Sequence, residues 1–221
     1  VAKYAEQLVM QNAFTKEDII RSVLGFGSYF INEGRDVLSD EFGKEYGNYF
    51  SVLSSIANGY TSRGDITNDT GVESGGYLAK LETVYDLIER SKPYLSPEGT
   101  RNNRYYIKDN FMNFWFRFVY KYRSSIEFGN LEYVQQKVLA DYETYSGHIL
   151  ERYFRQKYQE TGLYNIVTNY WEKGNTNEID LIAVNEADKK VIVGECKRNH
   201  KRISLNVLQE KAAKLQAKQK K

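Results

Sequence analysis

Apolar positions along this chain change period four times, from helical spacing to a β-prone hairpin, back to helical spacing, then to alternation and finally to helical spacing. An amphipathic pattern runs from Glu17 to Leu24 and leads into "GFGSYFINEGRDVLSDEFGKEYGNYF". Residues 1–44 carry too little apolar surface for a core of their own and read as the helical end of something larger. From Glu45 onward, Tyr49, Phe50, Val52, Leu53, Ile56 and Ala57 recur at helical spacing until Gly59 stops the run. A short polar helix, "SRGDITNDTG", comes next. It is followed by "ESGGYLAKLETVYDLIERSKPYL", in which Leu78, Leu81, Tyr85 and Ile88 form one stripe, so the spacing predicts a third helix reaching past Ile88. In "PYLSPEGTRNNRYYIKD" two β-prone runs flank a Pro/Gly/Asn turn, the pattern of a hairpin.

Three helices, the last two tightly joined, followed by a hairpin, resemble a winged-helix domain over residues 45–109. A helix that reads base edges needs Arg, Lys, Asn or Gln on its outer face. The third helix offers Lys80, Glu82, Thr83, Asp86, Glu89 and Arg90, a mixed and slightly acidic set. The hairpin tip is better suited, with Arg101, Asn102, Asn103 and Arg104, so Arg101 and Arg104 are the nucleic-acid candidates here. The domain as a whole reads as structural or protein-contacting rather than as a reader of sequence. Residues 110–140 form aromatic-rich connecting helices. Phe111, Phe114, Trp115, Phe118 and Tyr122 fall at helical spacing behind a possible N-cap, Asp109. Such a stripe suits a base-stacking platform, but bulky aromatics on one helical face more often cement a core.

A long helical pattern from Leu131 to about Gly162 leads into the last segment, residues 141–221, which reads helix, three strands, helix. The strands are "YNIVTNYWEK", "EIDLIAV" and "VIVGECK", separated by "GNTN" and "NEADKK", and the closing helix is "SLNVLQEKAAKLQAKQ". The fold class is therefore α+β. Alternation places Glu178 and Asp180 on one face of the middle strand, with Ile179, Leu181 and Ala183 on the other. Val191, Val193, Glu195 and Lys197 share a face of the next strand. Antiparallel pairing across "NEADKK" would bring Asp180, Glu195 and Lys197 to one end of the hairpin. Two carboxylates placed together repel unless something positive lies between them. A hard divalent cation meets that need, since Mg²⁺ takes one or two carboxylates and keeps several waters.

Composition narrows the alternatives. One Cys in 221 residues excludes an intrachain disulfide, and with two His there is no zinc cluster. Cys196 points away from the acidic face and reads as a small packed residue; His148, one turn before Glu151, reads as structural rather than catalytic, and His200, in a basic loop, could touch phosphate but has no partner in sight. No apolar stretch is long enough to cross a membrane and no signal-peptide pattern opens the chain, so a cytoplasmic protein is expected. The net charge of +2 hides an uneven distribution: from Cys196 to the end nine Lys or Arg face one acid, Glu210. Arg198, Lys201 and Arg202 head that tail, a candidate phosphate-contacting surface. A Lys-rich end is also the ordinary composition of a solvated helix face.

"NEIDLIA" and "GECK", behind a helix "YSGHILERYFRQKY" that carries Glu151, resemble the PD-(D/E)xK nuclease superfamily with its restriction-endonuclease-like fold. The resemblance implies that Asp180 and Glu195 hold Mg²⁺ or Mn²⁺, that Lys197 orients or deprotonates the attacking water, and that Glu151 is a supporting ligand. Glu178 stands where the superfamily commonly has Pro. The superfamily core normally has a further strand after its second helix, whereas this chain ends within or just after that helix. A wider stretch, winged helix, then "YYIKDNFMNFWFRFVYKY", a long helix and the EID...ECK core, is similar to the C-terminal region of archaeal-type DEXX-box ATPases. That similarity implies a P-loop ATPase domain ahead of these parts in the full-length protein. No G-x-x-x-x-G-K-[ST] occurs, so no ATP site of the P-loop kind is expected within this chain. Two functions remain open: a Mg²⁺-dependent nuclease acting on DNA, and a non-catalytic DNA-binding or protein-interaction module that regulates an ATPase. An uncovered sheet edge would also favour a homodimer.

Overall fold

The computed structural model describes residues 2–219; Lys220 and Lys221, which close the basic tail, lie outside the described residues. The chain is α+β, built of helices and two small antiparallel sheets. It divides into two groups of contacts. The first holds the chain through Ser91 together with Arg104–Asp141, and the second holds Lys92–Asn103 together with the chain from Tyr142 onward.

In the first group the helices are α1 (Ala2–Met10), α2 (Lys16–Val23), α3 (Tyr29–Phe42), α4 (Tyr46–Ala57), α5 (Arg63–Thr70) and α6 (Gly75–Thr83). A hairpin of β1 (Ile88–Ser91) and β2 (Arg104–Ile107) follows, then α7 (Asn110–Phe114), a π-helical stretch (Trp115–Tyr120) and α8 (Arg123–Glu127). Several starts are set by capping side chains: Thr15, Ser62 and Asp109 accept from Asp18 N, Asp65 N and Met112 N, satisfying N–H groups that have no partner within the helix.

The third helix is shorter than its apolar stripe implied. It ends at Thr83, because Asp86 takes φ 54°, a left-handed conformation that cannot continue a right-handed helix. The stripe is still buried, but by two elements: Leu78 and Leu81 from α6 and Ile88 from β1. Asp86, Glu89 and Arg90 therefore do not lie on a helix face, and Asp86 pairs with Lys108. The hairpin strands are IERS and RYYI; "PYLSPE" belongs to the loop between them. That loop is grouped with the second set of contacts, where Tyr94 N donates to Asn169 O at 3.0 Å and Trp171 Nε1 donates to Asn102 Oδ1 at 3.1 Å.

The aromatic segment is core. Phe50 meets Trp115, Phe116 and Tyr120 nearly edge-on at 5.9, 5.3 and 5.4 Å, the arrangement the ring quadrupoles favour. Trp115 Nε1 donates to Ile31 O at 2.9 Å, and its ring lies so close to Gly34 that a Cβ there would sit 2.2 Å from Cδ2. Arg117, in the middle of "FWFRF", is buried; its Nε bonds Asp141 Oδ2 and its Nη1 bonds Ala57 O, both at 2.6 Å.

The long helix α9 (Leu131–Glu160) enters the second group, where β3 (Ile166–Trp171), β4 (Glu178–Asn185) and β5 (Lys190–Gly194) form an antiparallel sheet in that order, followed by α10 (Leu205–Gln219). Tyr170, Ile179, Ile182, Val184 and Leu215 make its core. The in-out alternation read along β4 does not appear as a wet face and a dry one, because every residue from Ile179 to Val184 is buried. Arg155 of α9 bonds the Asp180 carbonyl, and α10 supplies Leu215 to the core, so helices account for this burial. Among the described residues β3 and β5 are the sheet edges.

Candidate active site

The site is built where β4 begins and β5 ends. Leu181 is paired with Gly194, so the next step of the register sets Asp180 beside Glu195. At Gly194 an added Cβ would meet Leu181 Cδ2 at 3.2 Å, which marks how closely the strands approach there. Glu195, Cys196 and Lys197 lie just beyond β5 rather than within it, as the sequence had implied. The ladder stops because a side chain replaces it: Cys196 N donates to Asp180 Oδ2 at 2.8 Å. With Cys196 turned in this way, Lys197 reaches back, its Nζ 3.8 Å from Asp180 Oδ2 and 3.2 Å from Glu195 Oε1.

Glu151, on α9, contributes negative charge to the same place. Burial and the Glu151 charge raise the Asp180 carboxyl above the ordinary carboxylate range, despite the Lys197 ammonium nearby. Burial acts on Glu195 too, but hydrogen bonds from Lys211 and Lys197 outweigh it and hold that carboxyl low. Lys197 is held above its ordinary value because Asp180, Glu195 and Glu151 together overcome its partial burial. Burial and the Asp180 charge push the Cys196 thiol up to about 11, so it is no thiolate nucleophile at neutral pH. His148 Nδ1 lies 3.8 Å from Glu151 Oε2 on the exposed side of α9.

One participant was not read from the sequence as part of the site. Lys211, on α10, donates to Glu195 Oε1 at 2.5 Å. It had been counted among the tail lysines, yet it stands one helical turn before Leu215, the residue that α10 buries, and that spacing turns it toward the sheet. Asn177 Nδ2 bonds the Lys211 carbonyl at 3.3 Å and ties this turn of α10 down.

The two carboxylates divide their oxygens alike. Asp180 Oδ2 faces the Cys196 N–H and Lys197, while Glu195 Oε1 takes both lysines. Asp180 and Glu195 are the carboxylates gathered here, the kind of oxygen donor that a hard divalent cation takes. Among the described residues no group of three or more His, Cys, Asp or Glu is arranged to hold a metal ion.

The remaining candidates are spread over several elements. Arg198 lies 5.0 Å over the Tyr142 ring and bonds Ser146 Oγ, on α9. Lys201 and Arg202 are exposed in a short 3₁₀ turn, His200–Arg202. Arg101 is exposed in the loop grouped with the sheet, whereas Arg104 opens β2 and pairs with Ser91 in the hairpin.

Comparison with known proteins finds a matching family model. Residues 115–214 match the family model described as "DUF234: Archaea bacterial proteins of unknown function". The match takes in the aromatic core helix, α9 and the whole of the site. An uncharacterized protein of Methanocaldococcus jannaschii is 32% identical over 158 residues, which cover 67% of this chain and 35% of that protein. The chain thus spans about a third of the length of the curated relative it matches. No solved structure matches. Among the described residues, no helix is long and apolar enough to cross a membrane.

Proposed function

We propose that the segment from Tyr142 onward is a PD-(D/E)xK-type nuclease domain that hydrolyses DNA phosphodiesters with Mg²⁺ or Mn²⁺. The observation that carries the reading is the gathering of Asp180, Glu195 and Lys197 at one sheet end, with Glu151 contributing to the same field. A purely structural cluster gains little from burying like charges side by side, whereas a site for a divalent cation requires it. Asp180 and Glu195 would hold the cation, whose chemistry there is to polarise the phosphate and acidify water. Lys197, kept as an ammonium, orients the attacking water. The water oxygen bonds to phosphorus as a P–O ester bond breaks, leaving a phosphate monoester and an alcohol. Arg198, Lys201 and Arg202 follow the DNA backbone.

The winged-helix reading of residues 45–109 is part of the same proposal, in a structural rather than a base-reading role. The loop at its hairpin tip is engaged through Tyr94 and Asn102, and Arg101 is an exposed cation there, as is Lys92. Following the resemblance to archaeal-type DEXX-box ATPases, the chain reads as part of a longer cytoplasmic protein that carries a P-loop ATPase domain, and the match to about a third of the Methanocaldococcus jannaschii relative is compatible with that.

The deciding experiment is cleavage of single-stranded and duplex DNA with Mg²⁺ or Mn²⁺ by the chain, by Asp180→Ala and by Lys197→Ala. Metal-dependent cutting that disappears in both variants is the expected result. Undiminished DNA binding with no cutting under any of these conditions would instead favour a non-catalytic platform that regulates the ATPase.

A further inference from the structure

We propose that Lys211 is a further catalytic residue: its ammonium, which rests on Glu195, contacts a non-bridging oxygen of the scissile phosphate when a divalent cation neutralises that carboxylate. The inference rests on the nuclease reading and assigns to it a residue from outside the D…ExK pattern. Three features of the site lead to it.

The first is the sharing of one oxygen. Glu195 Oε1 receives two ammoniums, Lys197 at 3.2 Å and Lys211 at 2.5 Å, while Lys197 is shared with Asp180. The second is the difference between those two lysines. Lys197 is held by Asp180 as well as Glu195 and lies in the field of Glu151, so it stays in place if Glu195 is neutralised. Lys211 forms its ion pair with Glu195, so a cation on that carboxylate leaves it facing like charge. The third is mechanical. The Lys211 backbone is fixed by Asn177 and by the burial of Leu215 one turn on, while its side chain keeps 24% of its surface open. A four-carbon stem on a fixed Cα can swing by a rotamer without disturbing the helix. The nearest new anion is a phosphate drawn to the same cation. There the ammonium stabilises charge that builds on the phosphoryl oxygens; it neither gives nor takes a proton.

The test uses the whole chain, with Lys211→Met, Lys211→Arg and Asp180→Ala. Mn²⁺ alone is titrated by calorimetry, and DNA cleavage is then measured at saturating Mn²⁺. Lys211→Met should bind Mn²⁺ at least as tightly as the unaltered chain, because a competing ammonium is gone. Its cleavage should nonetheless fall about 100-fold, the loss typical of one transition-state donor, and Lys211→Arg should recover part of it. Cleavage by Lys211→Met close to the unaltered rate would overturn the proposal. So would a parallel loss of Mn²⁺ binding and cleavage, which would make Lys211 a support for Glu195 and nothing more. If the unaltered chain does not cut, or Asp180→Ala cuts as well as it does, the nuclease reading itself fails and the role of Lys211 goes with it.

Discussion

Replacing Lys197 by Met keeps most of the apolar stem and removes only the ammonium that separates Asp180 from Glu195. The two contacts, 3.2 Å to Glu195 and 3.8 Å to Asp180, correspond to roughly 5 and 4 kcal/mol of attraction at an effective dielectric of about 20. The Lys197 side chain is 35% exposed, so screening and recovered hydration cancel most of this, and a net loss of about 2 kcal/mol is expected. For a chain of this size that is a fall in melting temperature of roughly 4–8 °C. The pH range follows from the directions of the shifts. Glu195 is held below its ordinary 4.5, so its share of stability is present above that value and lost as pH falls through the lower folded value. Lys197 is held above its ordinary 10.5, so its share is present below that value and lost as pH rises through the folded one. The deficit should thus be largest between about pH 5 and 10 and shrink in acid. Thermal unfolding by circular dichroism across this range, with and without Mn²⁺, measures it. Mn²⁺ should raise the melting temperature of Lys197→Met more than that of the unaltered chain, since the cation replaces the missing charge. A variant as stable as the unaltered chain at pH 7, or one that Mn²⁺ leaves untouched, would refute the reasoning.

Other outcomes follow from the same geometry. Asp180→Asn keeps an acceptor for the Cys196 N–H but removes a carboxylate whose ionisation is disfavoured by burial and by Glu151. With its folded value raised, Asp180 costs stability as pH rises above its ordinary 3.8; at pH 7 the variant should melt no lower than the unaltered chain and cut no DNA, and a fall of several degrees would contradict this. Cys196, with its thiol near 11, should react with a disulfide reagent at pH 8 far more slowly than the same thiol after unfolding; equal rates would argue against its burial. Gly34→Ala places a Cβ against the Trp115 ring and should destabilise by about 1–3 kcal/mol or more through overpacking, read as a lower denaturant midpoint at unchanged slope. The exposed β5 edge, with Val191 half open to solvent, is expected to pair two copies; light scattering at micromolar concentration should give a dimer, and a monomer would count against it.

The parts of the chain that sequence alone determined are those set by local rules. The span of α9, the three strands with their turns, the cap at Asp109 and the fate of the aromatic stripe all follow from periodicity, turn chemistry and the size of the rings. The meeting of Asp180, Glu195 and Lys197 was legible for the same reason, because a hairpin register is set by the turn and the side-chain period. Tertiary structure decided what depends on contacts distant in sequence. Asp86 ended a helix that the stripe would have continued, since the stripe records burial and not which element performs it. The Asp180 side chain, reaching Cys196 sixteen residues away, ended β5 before Glu195. Lys211 could not be told from its neighbours in a basic tail until the packing of Leu215 turned one face of α10 to the sheet. A lone lysine's role is set by which carboxylate the fold brings within reach of its ammonium, and for Lys211 that carboxylate is Glu195.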